Sequence, residues 1–209
     1  MYIPKHFVLD DVDRAHELIE SNSFGTLVTV LDGAPFATHL PFVLDRAPAP
    51  NGTLRGHIAR ANPQWQSFGS GEALAIFAGP HAYVSPSWYE GDAPAVPTWN
   101  YAVVHAYGKP AIVEDPAATR TLLQRLTQRA ESRFPEPWTP DVLSDEYLSH
   151  MISQIVAFEM PIARLEAKAK LSQNRPAADR VRVADQLAND DDSPARAVSA
   201  LMHDLVLDR

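Results

Sequence analysis

Residues 168–180, KAKLSQNRPAADR, gather Lys168, Lys170 and Arg175 around Ser172, Gln173 and Asn174. Between Arg164 and Arg182 there are six cations and two anions, in a chain whose formal net charge is -8. Cations, a hydroxyl and two amides at the mouth of a helical pattern are a donor set for an oxyanion. A phosphate there would meet free N–H groups and the positive end of the helix dipole. The same cations could contact nucleic-acid phosphates. The plain alternative is a solvated helix start, although cations ahead of a helix N-terminus are not electrostatically favoured.

A second constellation is TLRGHIARANPQW, residues 53–65. With a period of two, Arg55 and His57 share one strand face. Arg60 and Asn62 follow where the strand gives way to a helical turn. Free N–H groups at such a turn, with the planar fork of Arg60, suit a phosphate. An edge strand carrying exposed basic residues before an Asn-Pro turn explains the same pattern.

In VPTWNYAVVHAYGKP, residues 96–110, Thr98, Asn100, Ala102 and Val104 take one face. Trp99, Tyr101, Val103, His105 and Tyr107 take the other. Such an aromatic strip suits a core or a subunit interface. Thr98 and Asn100 could hydrogen-bond a planar heterocycle. Four histidines lie on or beside strands, His39, His57, His81 and His105. Imidazoles on separate strands can converge on a metal or haem, but their spacing carries no signature.

Several chemistries lack their motifs. There is no dinucleotide or P-loop glycine pattern, no nucleophile elbow, and no helical zinc-hydrolase histidine pair. The 209-residue chain has no cysteine, which removes disulfides and thiolate chemistry and fits a cytoplasmic protein. No apolar stretch is long enough to span a membrane, and MYIPKHF lacks the apolar core of a signal peptide. The acidic balance argues against wholesale coating by nucleic acid.

The elements that must carry these residues begin with a short helix capped by Asp10 or Asp11. A β-rich run from Gly25 ends in an Asp32-Gly33 hairpin signal, with a return strand from Pro35 to Leu44. Further strands are expected over 54–59, 73–77, 99–108 (continued by 111–113 after a bend) and 156–162, extending to Lys168. Loops are expected at 46–52 and 79–97. Helices start at Asp115-Pro116, at Ser144, near Pro176, and at Ser193 with Pro194 in its first turn. Six strands without βαβ alternation predict a mainly β fold, a small antiparallel barrel with peripheral helices.

Taken in order, MYIPKHF, THLPFVLD (38–45), GHIARANPQW (56–65), FAGPHAYVSPSWY (77–89), VPTWNY (96–101) and AKLSQNR (169–175) resemble the PaiB-like family of FMN-binding negative transcriptional regulators. The resemblance covers nearly the whole chain and thins after about residue 190. It implies a six-stranded split β-barrel of the FMN-binding type, related to pyridoxamine-phosphate oxidases and flavin reductases. It implies a homodimer with FMN at the subunit interface, which would use Trp99, Tyr101 and Tyr107. By the same resemblance, Thr38, His39, His57, Ala59, Arg60 and Asn62 fall where related barrels hold the FMN phosphate. THLPFVLD departs from the oxidase pattern in having no cation other than His39. Residues 1–170 would form the barrel with its inserted helices. Residues 171–209 would be a helical extension against the barrel or the dimer partner.

The family implies a repressor, with DNA as a partner. Yet the final two helices are joined by ANDDDSPAR, which sets acids where a DNA-facing turn would be. An FMN-dependent oxidoreductase acting on a small planar substrate is the alternative, in which the isoalloxazine does the chemistry. A haem-binding barrel is a third.

Overall fold

The computed structural model describes residues 1–47, 49–90 and 94–208. Asp32 and Gly33 both have positive φ, 53° and 78°, as a two-residue hairpin turn of type I′ requires. They join β1 (Phe24–Leu31) to β2 (Ala34–Pro41) with Leu31 opposite Ala34. The other strands are β3 (Val43–Asp45), β4 (Thr53–Ala59), β5 (Ala73–Val84), β6 (Thr98–Gly108), β7 (Ala111–Ile112) and β8 (Ile155–Lys170). They form one sheet in the order β2-β1-β5-β6-β8-β4-β3, with β7 also on β8. The two end strands of this path, β2 and β3, are consecutive in the chain and separated only by Phe42. The sheet therefore curls back on itself, as in a barrel.

Among the described residues, eight strands replace the expected six. The run 35–44 divides at Phe42, whose N–H donates to the Ser23 carbonyl (2.8 Å) as the last bond in the register with β1. Its buried ring packs edge-on against Phe77 and Phe158, with centroids 5.3 and 6.2 Å away. Beyond it the chain pairs with β4. Ala111 and Ile112 do not continue β6; they pair with Glu159 and Phe158 of β8. β5 runs on through Gly79-Pro80, expected to open a loop, because Ala82 and Val84 have a core to enter. Positions 91–93 of that expected loop, and position 48 of the earlier one, lie outside the described residues.

The helices are α1 (Val12–Ser21), α2 (Pro116–Glu131), α3 (Asp145–Ser153), α4 (Ala177–Ala188) and α5 (Ser193–Met202), the last followed by a π-helical turn, His203–Leu207. Local capping explains three starts. Asp11 accepts from Arg14 N, Asp115 from Ala117 N and Ser144 from Tyr147 N. The cap position of α5 is Asp192 rather than Ser193.

The chain divides into two compact units. One comprises residues 1–18, 78–104 and 166–209. Its core sets Ala82, Val84, Ala169 and Leu171 against Val183 and Leu187 of α4 and Val198 and Met202 of α5. Ser199 Oγ donates to the Ala184 carbonyl (2.8 Å) and ties the two helices together. The other comprises residues 19–77 and 105–165. Its core includes Leu27, Phe42, Leu54, Phe77, Phe158 and Met160, all almost fully buried. A smaller cluster of Val43, Leu122 and Ala157 seats α2.

Candidate functional site

The residues singled out by sequence fall into two groups, one in each unit. In the unit of residues 19–77 and 105–165, β4 delivers Arg60 at its end and a 3-10 turn, Pro63–Ser67, follows. Asn62 caps that turn, its Oδ1 accepting from Gln64 N (3.0 Å). Its Nδ2 donates to Thr38 Oγ1 (2.9 Å), so these two residues do meet. Beneath them Gln64, missed by sequence reasoning, is fully buried. Its Nε2 donates to the carbonyls of Leu27 (3.0 Å) and Phe36 (3.1 Å), fastening the turn to both hairpin strands.

Arg60 is committed on one side. Nε donates to the Ser153 carbonyl and Nη2 to that of Ile155, each at 2.8 Å. The guanidinium plane is thus fixed at the border of a cavity of about 780 Å³, lined also by Thr119, Arg120, Ser149, Ser153 and Ala157. That volume lies within the roughly 300–1,000 Å³ of cofactor and ligand sites. Thr38, His39, His57, Ala59 and Asn62 are not among its lining residues. His39 is exposed on β2, opposite Thr26. Ala59 closes β4 opposite Ile155, its methyl exposed.

Arg55 serves structure. It donates to Asp45 (2.8 Å) and pairs with Glu159 (2.6 Å), while Arg125 of α2 reaches the other Asp45 oxygen (2.5 Å). Burial pushes the Asp45 carboxyl up, but hydrogen bonds from Arg125 and Arg55 outweigh it and hold the carboxyl below its ordinary value. His57 lies beside Ala157 in the register, its Nδ1 buried without a hydrogen-bond partner. Burial lowers its pKa from the ordinary 6.5. The unfolded chain therefore takes up this proton first. Well above 6.5 proton linkage at this histidine costs nothing; as pH falls from there through the folded value, stability is progressively lost. His57→Gln should flatten that part of the acid limb in urea melts run between pH 7.5 and 5 (about one to two pH units either side of neutral imidazole's midpoint). A wild-type slope in the variant would contradict this role.

In the unit of residues 1–18, 78–104 and 166–209, the end of β8 lies beside the start of β6. Lys168 is only 8 % exposed. Its ammonium donates to the Tyr2 carbonyl (3.3 Å) and stands 5.1 Å from the centroid of Tyr101, so it is engaged within the protein. Gln173 is half-buried and committed to the local turn, accepting from Leu171 N (2.7 Å) and donating to the Ala169 carbonyl (2.6 Å). Asn100 is fully buried and exchanges hydrogen bonds with Ser172 Oγ at 3.0 and 3.2 Å. Ser172 has φ 67°, a left-handed conformation that its hydroxyl bonds to Asn100 help to hold. Thr98, Asn100, Lys170, Ser172, Asn174 and Arg175 line one cavity of about 210 Å³ with Tyr89, Phe7 and Val96. Tyr89 was not among the expected site residues; its sequence signals were the aromatic content of the 79–97 stretch and its place at the end of the 77–89 block.

Among the described residues, no group of three or more His, Cys, Asp or Glu side chains could hold a metal ion. Nor is any helix among them long and apolar enough to cross a membrane.

The curled antiparallel sheet with helices outside it is a split β-barrel. The same fold occurs in the flavocytochrome Anf3 from Azotobacter vinelandii, 13% identical, with 80% of this chain and 72% of that one covered at a TM-score of 0.57. It occurs also in the FAD and heme binding protein from Mycobacterium smegmatis, 17% identical, covering 78% and 72% at a TM-score of 0.55. Residues 1–164 match the family described as "Putative FMN-binding domain". The chain is 38% identical over 205 residues to the protease synthase and sporulation protein PAI 2 of Bacillus subtilis (strain 168), covering 98% of this chain and 97% of that protein. The chain belongs to this PaiB-like FMN-binding family.

Proposed function

We propose that this protein binds FMN and acts in the cytoplasm as a homodimeric negative transcriptional regulator of the PaiB type. The observation that carries the reading is the family match over residues 1–164, together with an alignment to PAI 2 along almost the entire chain. Arg60 supports the flavin half, because its fork is pre-set at a cofactor-sized cavity. Exposed apolar residues support the dimer: Phe24 at 68% and Val30 at 61% share the outer face of β1, and Trp99 is exposed on β6. The division into a barrel over 1–170 and a helical extension over 171–209 belongs to the same proposal.

The test is titration of FMN and riboflavin, followed by flavin fluorescence. Saturable quenching is expected, with flavin absorption bands near ~370 and ~450 nm in the complex. Arg60→Ala should weaken FMN binding by about tenfold or more and leave riboflavin unchanged, since a charge-assisted phosphate bond is lost. Equal loss for both ligands would mean that Arg60 supports the fold rather than the phosphate. No flavin binding would remove the cofactor from the reading. For the regulatory half, promoter fragments should be retarded by the flavin-loaded protein with an affinity that falls steeply with salt. No retardation would rule out direct DNA contact.

A further inference from the structure

The geometry points to a second, smaller site: the 210 Å³ cavity at the LSQNR turn binds a small oxyanion, a carboxylate or phosphate, through Lys170 and Arg175. Lys170 Nζ donates to Thr98 Oγ1 (2.6 Å) and the Trp99 carbonyl (2.5 Å). Both acceptors are neutral, and an ammonium has three protons to give. Arg175 lays its guanidinium over the Tyr89 ring, 4.2 Å from the centroid, and no ion pair holds it among the described residues. No carboxylate is among the described residues lining the cavity, so two cations share it uncompensated. Burial first, then the charges of Lys168 and Arg175, push the Lys170 pKa down, as expected of a cation waiting for a counter-ion.

Two further features are independent of charge. The Tyr89 hydroxyl is buried without a hydrogen-bond partner, on a residue that lines the cavity. Such orphaned groups are uncommon in native structures and are costly without a ligand or water. The left-handed Ser172 is held from behind by Asn100, a fully buried amide that also contacts Met202 Sδ (3.5 Å). Backbone strain of this kind is concentrated at ligand-binding turns. The volume is below the usual range for drug-sized ligands, which selects a small anion over a nucleotide. The concavity and the inward turn of Lys168 select it over duplex DNA.

The probe is inorganic phosphate, with acetate in a parallel arm, added to the intact protein at constant ionic strength and compared with chloride. Intrinsic fluorescence and thermal melting are the readouts. Saturable binding and a raised melting temperature are expected for one or both oxyanions; the arm that binds tells phosphate from carboxylate. Lys170→Met and Arg175→Gln should each weaken binding by about tenfold or more, and Tyr89→Phe, which removes one oxygen and keeps the packing, by about threefold to tenfold. FMN affinity should be unchanged in all three. No difference between either oxyanion and chloride, or binding that survives all three substitutions, would overturn the assignment. Parallel loss of phosphate and FMN would also overturn it, by making this the seat of the flavin's own phosphate.

Discussion

Gly108→Ala is expected to cost at least about 4 kcal/mol and to leave little folded protein at 37 °C. A Cβ at this position of β6 would collide with the carbonyl oxygen of Pro161 and come within 2.8 Å of Met160 Cγ. The methionine can turn aside. The carbonyl belongs to β8, the neighbouring strand, and cannot retreat without pulling the ladder apart. Gly71 has open space around its Cβ position, so Gly71→Ala should stay within about 0.5 kcal/mol of wild type. Urea midpoints for the pair decide the matter. A Gly108→Ala variant that melts with the wild type would mean that β6 and β8 are not this close.

The second large effect is Phe158→Ala, expected to destabilise by about 3–5 kcal/mol. The ring is fully buried and meets Phe42 and Phe68, with centroids 6.2 and 5.1 Å away. Across the register Phe158 faces Gly56, which has no side chain to fill the vacated space. Collapse is therefore limited, and the cavity term adds to the lost transfer energy. Phe158 does not line the cavity at Arg60, so flavin affinity should fall only as far as the unfolded fraction rises. A denaturant midpoint lowered with the slope unchanged is the expected result. A loss under about 1 kcal/mol would mean that the three rings do not form one cluster.

What the sequence determined unaided were features whose causes lie within a few residues. The Asp32-Gly33 turn needs positive φ, and the residues that tolerate it are visible in the chain. Asp115 and Ser144 bond to amides two or three residues ahead, so their helices could be placed by reading caps. Family membership was legible too: six separated blocks carry the resemblance, and the family match over residues 1–164 and the alignment to PAI 2 bear it out.

Tertiary structure decided the rest, because the deciding contacts were remote. Gly79-Pro80 looks like a break, yet Ala82 and Val84 continue β5 since burying them outweighs a local turn preference. Phe42 divides the run 35–44 because its ring enters the core beside Phe77 and Phe158, and the residues beyond it pair with β4. At the candidate sites, residue types directed attention to Arg60 and to the basic stretch, and each borders a cavity. They could not show that Gln64 fastens a turn to a carbonyl 37 residues away. Nor could they show that Lys168 turns inward while Lys170, two residues on, faces a cavity with Tyr89. A cation's charge is written in the sequence. Whether it meets solvent, a carbonyl or a ligand depends on which distant segment the core brings alongside it.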